Sequence, residues 1–478
     1  MAKDIYILIA LFFLAIFLKM PAWNYPLAGD SNLYAELTEN LGTNFTYSSP
    51  MYDKGMTPHG TVPPLFPLFS VPFFLIFKSA VYAIKFSSIF WSALTILVVY
   101  LFSRYLKLNR LESCLISALV LFNPWFFYFN GILPLSESLA NFLLILGTFI
   151  YFLRKNTISY ILAGLIFGLA IITRFTSGFF VFLFIILSLS ELIKKKNLIK
   201  NIYFILAASL PACLWFLRNI IIFGKLFSKE SAYSNVLSFW VKVPYMFMVY
   251  VIAVILTFSF LMPFIINGII LAWKRKKTFW LLIIGSCIIF IFAHTIMSYN
   301  PSSMFHVIIS RTRYLTPLVP ILTIFAFLDF KRLRLKSKNV KNSLLILCLI
   351  IFITLSAVLS YGSFKDTIDK VIPLPAIYSQ RSEHRAQVIE WTNENIPPNS
   401  KISIIFREGE DGEGMTILSY FVKEHLDNEL IYVDWQKQKS DFIISDLSFE
   451  KITKITSLQL TEVYKTRNQP FNYVYKVD

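Results

Sequence analysis

The chain has 478 residues, of which 56% are hydrophobic and 15% are charged. This composition excludes a soluble multi-domain protein, and repeated apolar runs approach the roughly 20 residues that a helix needs to cross a bilayer. The net charge of +17 does not indicate nucleic acid binding, because residues 362–478 hold 18 acidic and 14 basic side chains, leaving 10 acidic and 31 basic in the first 361. The basic excess therefore belongs to the apolar part, where it reports orientation and contact with anionic lipid headgroups.

Eleven apolar runs predict a polytopic α-helical membrane protein with about 11 transmembrane helices. Their approximate bounds are 5–22, 80–103, 111–129, 132–153, 157–173, 175–193, 201–222, 244–272, 278–298, 313–330 and 342–361. Short loops rich in Lys and Arg stay cytoplasmic, and such loops alternate here with neutral or acidic ones. The basic loops read SRYLKLNR, RKN, KKKNLIK, KRKK and KRLRLKSKNVK. The pattern predicts a multi-pass protein of the cell membrane with a cytoplasmic N-terminus and an extracytoplasmic C-terminus.

The first outer loop, about residues 23–79, collects carboxylates. Four of the ten acidic residues in the first 361 positions lie in it: Asp30, Glu36, Glu39 and Asp53. Asp30 stands at the head of a helix-like segment, and Tyr34 follows four residues later on the same face. The apolar segment 63–77 is short and contains four prolines. We predict a juxtamembrane or re-entrant element on the outer face, because a crossing here would break the charge alternation.

Other polar side chains fall at the predicted outer ends of later spans. They are Glu137, Arg174, Arg218, Arg311 and Arg313. A charge near the bilayer costs a few kcal/mol on insertion scales, so such residues usually pair or serve a function. The span assignment carries them to the face of Asp30, where His59 also lies. We therefore predict one outer site with two carboxylates and several guanidinium groups.

Residues 362–478 have the composition of a soluble protein, which predicts a small C-terminal extracytoplasmic α/β domain beside a transmembrane domain over residues 1–361. EHRAQVIEWTNENIPPNS and MTILSYFVKEH have helical spacing. Five short strands are predicted, at KISIIF, ELIYVD, DFIISD, LTEVYKT and FNYVYKVD.

Several features have simpler interpretations. Asp30 is a suitable N-cap for the helix that follows it, and arginines at span ends can reach lipid headgroups. The five histidines are too scattered to argue a metal site, so no metal ligand and no certain cofactor is predicted, and a divalent metal is left open. The four cysteines all fall in apolar runs, so no disulfide framework is implied.

A carboxylate near several arginines at an outer membrane surface suits a reaction between a lipid-linked anion and a hydroxyl acceptor. Arginine matches phosphate oxygens bidentately and stabilises charge that develops on a leaving phosphate. A carboxylate within hydrogen-bond reach can take the acceptor proton, typically contributing about 10² to 10⁴ in rate. A membrane transporter or flippase for a lipid-linked substrate is the alternative, although it commonly shows paired halves and charges near the midplane. A non-catalytic scaffold that binds a partner through its tail is a third hypothesis.

Seven segments, taken in order, resemble integral-membrane glycosyltransferases of the GT-C type. The similarity is to the branch that contains protein O-mannosyltransferases and the aminoarabinose transferases that modify lipid A. The segments are GDSNLYAELTENL, TPHGTVPPLFPLFSVPFFLIF, LPLSESLANFLLILGTFIYFL, GLIFGLAIITRFTSG, WFLRNIIIFG, RTRYLTPLVPIL and VIEWTNENIPPNSKI. Their ordered combination covers most of the chain.

The resemblance implies a polyprenyl-phosphate sugar donor, such as a dolichyl phosphate mannose, and inversion at the anomeric carbon. It implies that Asp30 acts as or next to the catalytic base and that Glu137 is a second catalytic acidic residue. It also implies that the donor phosphate is bound by arginines at outer helix ends, with Arg174, Arg218, Arg311 and Arg313 as candidates.

Tyr34 and His59 are further candidate substrate contacts. The alternative for Tyr34 is a packing role, and the alternative for His59 is a loop position without a role in binding. Protein mannosyltransferases often carry an acidic pair at the first site, whereas Asp30 is followed here by Ser31. The resemblance therefore leaves a lipid, glycan or protein acceptor open, with the protein acceptor weakened. The other expected partners are membrane lipids.

Overall fold

The structure is a computed structural model, and its elements are given for the part of the chain that it describes. That part comprises residues 2–20, 23, 27, 30–51, 55–60, 62–153, 156–226, 236–274, 278–297, 312–330, 347, 350, 354, 388, 391–397, 400–405, 431–432, 441–445, 460–465 and 473–477. The chain divides into two compact units. Unit 1 comprises Met1–Tyr25, His59–Lys78 and Tyr82–Phe364, and unit 2 comprises Pro26–Pro58, Ser79–Val81 and Lys365–Asp478.

Apolar helices make up most of the described part of unit 1. They are α1 (Ala2–Lys19), α3 (Leu65–Phe77), α4 (Ala80–Tyr105), α5 (Arg110–Leu121), α6 (Pro124–Phe127), α7 (Glu137–Leu153), α8 (Thr157–Ile171), α9 (Ser177–Ile193), α10 (Leu198–Phe223), α11 (Val236–Phe258), α12 (Met262–Lys274), α13 (Thr278–Met297) and α14 (Val319–Phe330). The first ten predicted apolar runs all coincide with helices, and the run at 342–361 lies almost wholly outside the described residues.

Length and apolar composition single out two described helices, α4 and α10, as long enough to cross a membrane. The number becomes four if two bent pairs each count as one span. One pair is α5 with the segment Pro124–Ile132, bent by 66°, and the other is α11 with α12, bent by 105°. The predicted span at 244–272 is therefore two helices that meet at a sharp break.

The two breaks contact each other through one asparagine. The Asn123 side chain caps α6 by accepting a hydrogen bond from the Phe126 backbone N–H at 3.0 Å. Its Nδ2 donates to the Thr257 carbonyl at 2.8 Å, beside the break between α11 and α12. Pro124 at the first position of α6 lacks an N–H that the helix would leave unpaired anyway. A buried asparagine thus satisfies backbone groups at both breaks.

The proline-rich segment forms one helix, α3, and packs along α4 through aromatic side chains. Phe73 and Phe77 contact Phe86 with ring centroids 5.0 and 5.4 Å apart. α3 is continuous although Pro72 lies inside it. It ends at Lys78, which adopts a left-handed conformation with φ of 55°. Its juxtamembrane or re-entrant position stays a prediction.

An ion cluster around Asp4 joins the beginning of α1 to the end of α4. The Asp4 carboxylate is 3.3 Å from Arg104 and 3.1 Å from Arg110, and it accepts a hydrogen bond from the Tyr100 hydroxyl at 2.9 Å. These groups bring together the beginning of α1, the end of α4 and the beginning of α5. This antiparallel arrangement agrees with the sequence pattern, which places residues 1–4 and the loop SRYLKLNR on one face.

Helices α8 and α10 approach closely because two glycines face the α10 backbone. A Cβ on Gly164 would lie 2.3 Å from the Phe204 carbonyl oxygen, and one on Gly168 would lie 2.6 Å from the Ala208 carbonyl oxygen. Small residues at such crossings let the backbones of apolar helices meet.

Gly164→Ala is expected to lower the midpoint of thermal unfolding in detergent by about 1 to 3 °C, because overpacking against fixed backbone costs about 1 to 3 kcal/mol. Gly178→Ala is the matched control, since its Cβ would meet only Ile171 side-chain carbons at 3.8 and 4.0 Å. Differential scanning fluorimetry of both variants gives the measurement. Equal midpoints for the two would contradict the close approach.

The described part of unit 2 contains helix α2 (Asp30–Asn44), the antiparallel hairpin β1 (Ser48–Met51) and β2 (Gly55–Pro58), and a five-stranded sheet. The sheet has the order β4-β3-β5-β7-β6. Its strands are β3 (Lys401–Ile405), β4 (Ile431–Tyr432), β5 (Phe442–Ser445), β6 (Leu460–Lys465) and β7 (Tyr473–Val477). β3 pairs in parallel with β4 and β5, whereas β7 pairs antiparallel with β5 and β6.

Each strand in this sheet falls within one of the five segments predicted from the sequence. Residues 391–395 are helical within the first predicted helix, and the segment MTILSYFVKEH lies outside the described residues. The extracytoplasmic α/β domain as a whole stays a prediction.

Candidate active site

Glu137 is the first residue of α7 and is fully buried. The turn before it is held by the Ser138 hydroxyl, which donates to the Leu135 carbonyl at 2.9 Å. A carboxylate at a helix N-terminus is favoured by the helix dipole. Burying an isolated carboxylate is nevertheless costly in free energy, so Glu137 needs partners that offset this cost.

Two arginines share one oxygen of the Glu137 carboxylate. Arg174 Nη1 lies 2.5 Å from Oε1, and Arg313 Nε donates a hydrogen bond to the same oxygen. Both guanidinium groups are mostly buried, at 16% and 17% exposure. Among the residues that the structure describes, Oε2 has no hydrogen-bond partner. In these described contacts, two guanidinium groups therefore meet one carboxylate oxygen, while Oε2 accepts no hydrogen bond.

An aromatic stack lies beside the two guanidinium groups. Arg174 and Arg313 lie over the Tyr314 ring, with their central carbons 5.3 and 5.8 Å from its centroid. The buried imidazole of His294 stacks on the same ring with centroids 5.0 Å apart, and Phe290 meets this imidazole edge-on at 4.6 Å. Cation–π contacts of this kind hold a guanidinium in place without neutralising its charge.

Arg218 lies near the end of α10 and holds the segment that follows β2. Its Nη1 donates to the His59 carbonyl at 2.7 Å and to Asn219 Oδ1 at 2.8 Å, while Asn219 Nδ2 donates to the Gly60 carbonyl at 3.3 Å. The guanidinium also lies 4.7 Å from the centroid of the Trp215 ring. Arg218 is thus part of a clamp on the loop backbone.

The clamped loop reaches the end of α8, close to Arg174 in sequence. The backbone N–H of Leu65 donates to the Ile172 carbonyl at 3.3 Å. His59 Nε2 accepts a hydrogen bond from the Val62 backbone N–H at 3.1 Å, which fixes its imidazole within the loop. A substrate contact by His59 stays a prediction.

The other three predicted site residues are Asp30, Tyr34 and Arg311. Asp30 is the first residue of α2, and Tyr34 is a buried residue of the same helix whose carbonyl accepts a hydrogen bond from the Thr38 hydroxyl at 2.7 Å. Both belong to unit 2. Arg311 lies outside the described residues. Within unit 1 the structure brings together Glu137 and two of the four predicted arginines.

Sequence reasoning missed Tyr314, His294 and the buried Lys19. Tyr314 follows Arg313 directly in the sequence, and His294 is close to the end of an apolar run. Both positions could therefore have been selected from the sequence. Lys19 ends the first apolar run, where a lysine ordinarily reaches the membrane surface. Only side-chain packing distinguishes a buried lysine from one at the surface.

The described residues contain no group of three or more His, Cys, Asp or Glu side chains that could hold a metal ion. The Glu137 carboxylate is shared by two guanidinium groups, whose N–H donors suit an anion.

No family model and no curated protein matches the sequence. The solved structures that match include two of ArnT from Cupriavidus metallidurans, and both extend over almost the whole chain. The apo structure has a TM-score of 0.61 at 12% identity, covering 99% of this chain and 98% of that chain. The structure bound to undecaprenyl phosphate has a TM-score of 0.59 at 11% identity, with the same coverage.

The chain has the ArnT fold. At the level of the fold, the match confirms the resemblance that the seven ordered segments indicate. Together with the apolar helices of unit 1, the ArnT fold makes the chain a polytopic helical membrane protein.

Proposed function

We propose that the protein is a glycosyltransferase of the GT-C type that moves a sugar from a polyprenyl-phosphate donor to a hydroxyl acceptor. One observation carries the proposal: two mostly buried arginines share a single buried glutamate in a chain with the ArnT fold. The structure of ArnT bound to undecaprenyl phosphate supports a polyprenyl phosphate as the class of carrier.

The charge balance of the cluster favours a phosphate. Arg174 and Arg313 contribute two positive charges against the one negative charge of Glu137. Each guanidinium presents five N–H donors in a planar fork. A donor phosphate suits this pair of arginines, because guanidinium forks match its oxygens bidentately.

The proposed step is a single displacement with inversion. The acceptor hydroxyl oxygen attacks the anomeric carbon, the bond from that carbon to the phosphate oxygen breaks, and its electron pair leaves with the polyprenyl phosphate. Arg174 and Arg313 stabilise the charge that develops on the leaving phosphate. The Glu137 carboxylate orients the two guanidinium groups.

Asp30 is the proposed general base that takes the acceptor proton. Its place in the motif GDSNLYAELTENL and its position at the start of α2 support this role. Arg218 and Arg311 stay proposed donor contacts, and Tyr34 and His59 stay proposed substrate contacts. The sugar and the acceptor are left open, with a lipid or glycan acceptor favoured by Ser31.

We also propose the predicted topology of eleven spans, with the N-terminus in the cytoplasm and both the candidate active site and an α/β domain over residues 362–478 outside. The alternation of basic and neutral loops supports it.

The test is release of polyprenyl phosphate by the purified protein from a panel of synthetic polyprenyl-phosphate sugars. Lipids extracted from cell membranes serve as the acceptor mixture, and a parallel series contains a chelator. We expect turnover with at least one donor and the appearance of a glycosylated lipid. Movement of the labelled donor across vesicles without release of polyprenyl phosphate would instead favour a flippase.

A further inference from the structure

Lys19 is a fully buried lysine at the end of α1. Its ammonium donates hydrogen bonds to the Ser92 hydroxyl on α4 and to the Asn130 carbonyl, the latter at 3.3 Å. It also lies 5.2 and 5.4 Å from the ring centroids of Phe126 and Phe127. Within the part of the chain that the structure describes, no carboxylate comes within ion-pair distance of it.

A buried ammonium without a carboxylate is an expensive group. Even a buried ion pair is often no better for stability than apolar side chains of the same volume. Ionisable residues inside membrane proteins usually mark function for this reason. Lys19 therefore calls for an explanation other than stability.

The backbone that Lys19 contacts is distorted. Residues Tyr128–Ile132 form a π-turn in which Asn130 has non-helical φ and ψ of −115° and 20°. Such turns occur frequently at functional sites. Gly131 lets the lysine chain pass, because a Cβ there would lie 2.2 Å from Lys19 Cδ.

The π-turn is linked in turn to the helix that carries Glu137. Asn141 Nδ2 donates to Asn130 Oδ1 at 2.5 Å, and both amides are fully buried. Asn141 follows Glu137 by four residues, which places it about 6 Å further along α7 on the same face. Asn130 thus links the Lys19 ammonium, which its backbone carbonyl binds, to the first two turns of α7, which its side chain binds.

We propose that Lys19 is a positioning residue for Glu137. The ammonium holds the Asn130 carbonyl, and the Asn130–Asn141 amide pair transmits this restraint to the helix start that presents the carboxylate to Arg174 and Arg313. The inference rests on the proposed glycosyltransferase function, and it adds to that function a residue that touches neither the donor nor the acceptor.

The test uses two variants that disturb Lys19 by independent routes. Lys19→Met removes the charge and keeps the length of the side chain, whereas Gly131→Ala displaces the side chain without changing any charge. We expect each to lower kcat by roughly 10- to 100-fold with the donor KM changed by less than about threefold, because misplacement of a catalytic group costs on this scale. Ser92→Ala is the matched control, since it removes the other hydrogen bond of Lys19 and leaves the route to α7 intact.

Stability separates positioning from a merely structural role. Lys19→Met is expected to keep or raise the midpoint of thermal unfolding, because an apolar side chain replaces a buried charge. A lowered midpoint with unchanged kcat would overturn the proposal, as would an increased donor KM with unchanged kcat, which would make Lys19 a direct donor contact.

A second readout distinguishes failure of this inference from failure of the proposed function. If the wild-type protein releases no polyprenyl phosphate from any donor, the glycosyltransferase proposal fails. The link between Lys19 and Glu137 is then tested by the unfolding midpoints of Lys19→Met, Glu137→Gln and the double variant. Non-additive shifts support the link, and additive shifts overturn it.

Discussion

Glu137→Gln is expected to reduce turnover by about 100-fold or more and to lower the stability of the folded protein. The substitution keeps the shape of the side chain and removes the one negative charge that two mostly buried arginines share. Removing one partner of a buried ion pair typically costs about 3 to 5 kcal/mol, and the retained amide oxygen brings the expected loss toward the lower value. Turnover falls because guanidinium groups misplaced by about 1 Å lose roughly this factor in rate. Turnover assays and thermal unfolding in the same detergent measure both effects.

A double variant separates the two effects of Glu137→Gln. Adding Arg313→Gln restores the wild-type net charge of these three groups and is expected to recover part of the stability while turnover stays low. Glu191→Gln is the matched control, because that glutamate bonds to Asn201 at 3.1 Å and lies at the far end of α9 from Arg174. Wild-type turnover in Glu137→Gln would contradict a role for this cluster in the reaction.

Asp30→Asn is expected to lower kcat by about 10² to 10⁴ and to leave stability nearly unchanged. Asparagine and aspartate are equally good at the start of a helix, so the capping alternative predicts no loss of activity. A lost general base, in contrast, removes about this factor in rate. Release of polyprenyl phosphate at saturating donor gives kcat, and the midpoint of thermal unfolding reports folding.

A control variant in the same helix tests whether the loss of kcat is specific to Asp30. Glu39→Gln removes another α2 carboxylate, one that lies nine residues from the helix start, and is expected to leave kcat within about twofold. Equal kcat for wild type and Asp30→Asn would make Asp30 a helix-start residue only. Donor binding measured separately should stay unchanged in Asp30→Asn, since a base acts on the acceptor.

Glu137, Arg174 and Arg313 could be selected from the sequence because charge is rare near apolar runs. Only ten acidic residues occur in the first 361 positions, so a carboxylate that opens an apolar run is conspicuous. The same reasoning selected Arg218, which the structure places on the backbone of the loop at His59 and Gly60. Spacing along the chain identifies the end of the helix bundle that a residue reaches, and it does not identify the partner that the residue meets there.

The apolar helices, their order and the strands of the five-stranded sheet were determined by the sequence itself, because hydrophobic period and run length are local properties. Only the tertiary structure decided that two arginines share one glutamate oxygen, that Tyr314 and His294 stack beside them, and that Lys19 is buried against Asn130. These arrangements join residues up to 176 positions apart. Their energies depend on burial and packing, which arise only when the helices assemble, so no local pattern in the sequence encodes them.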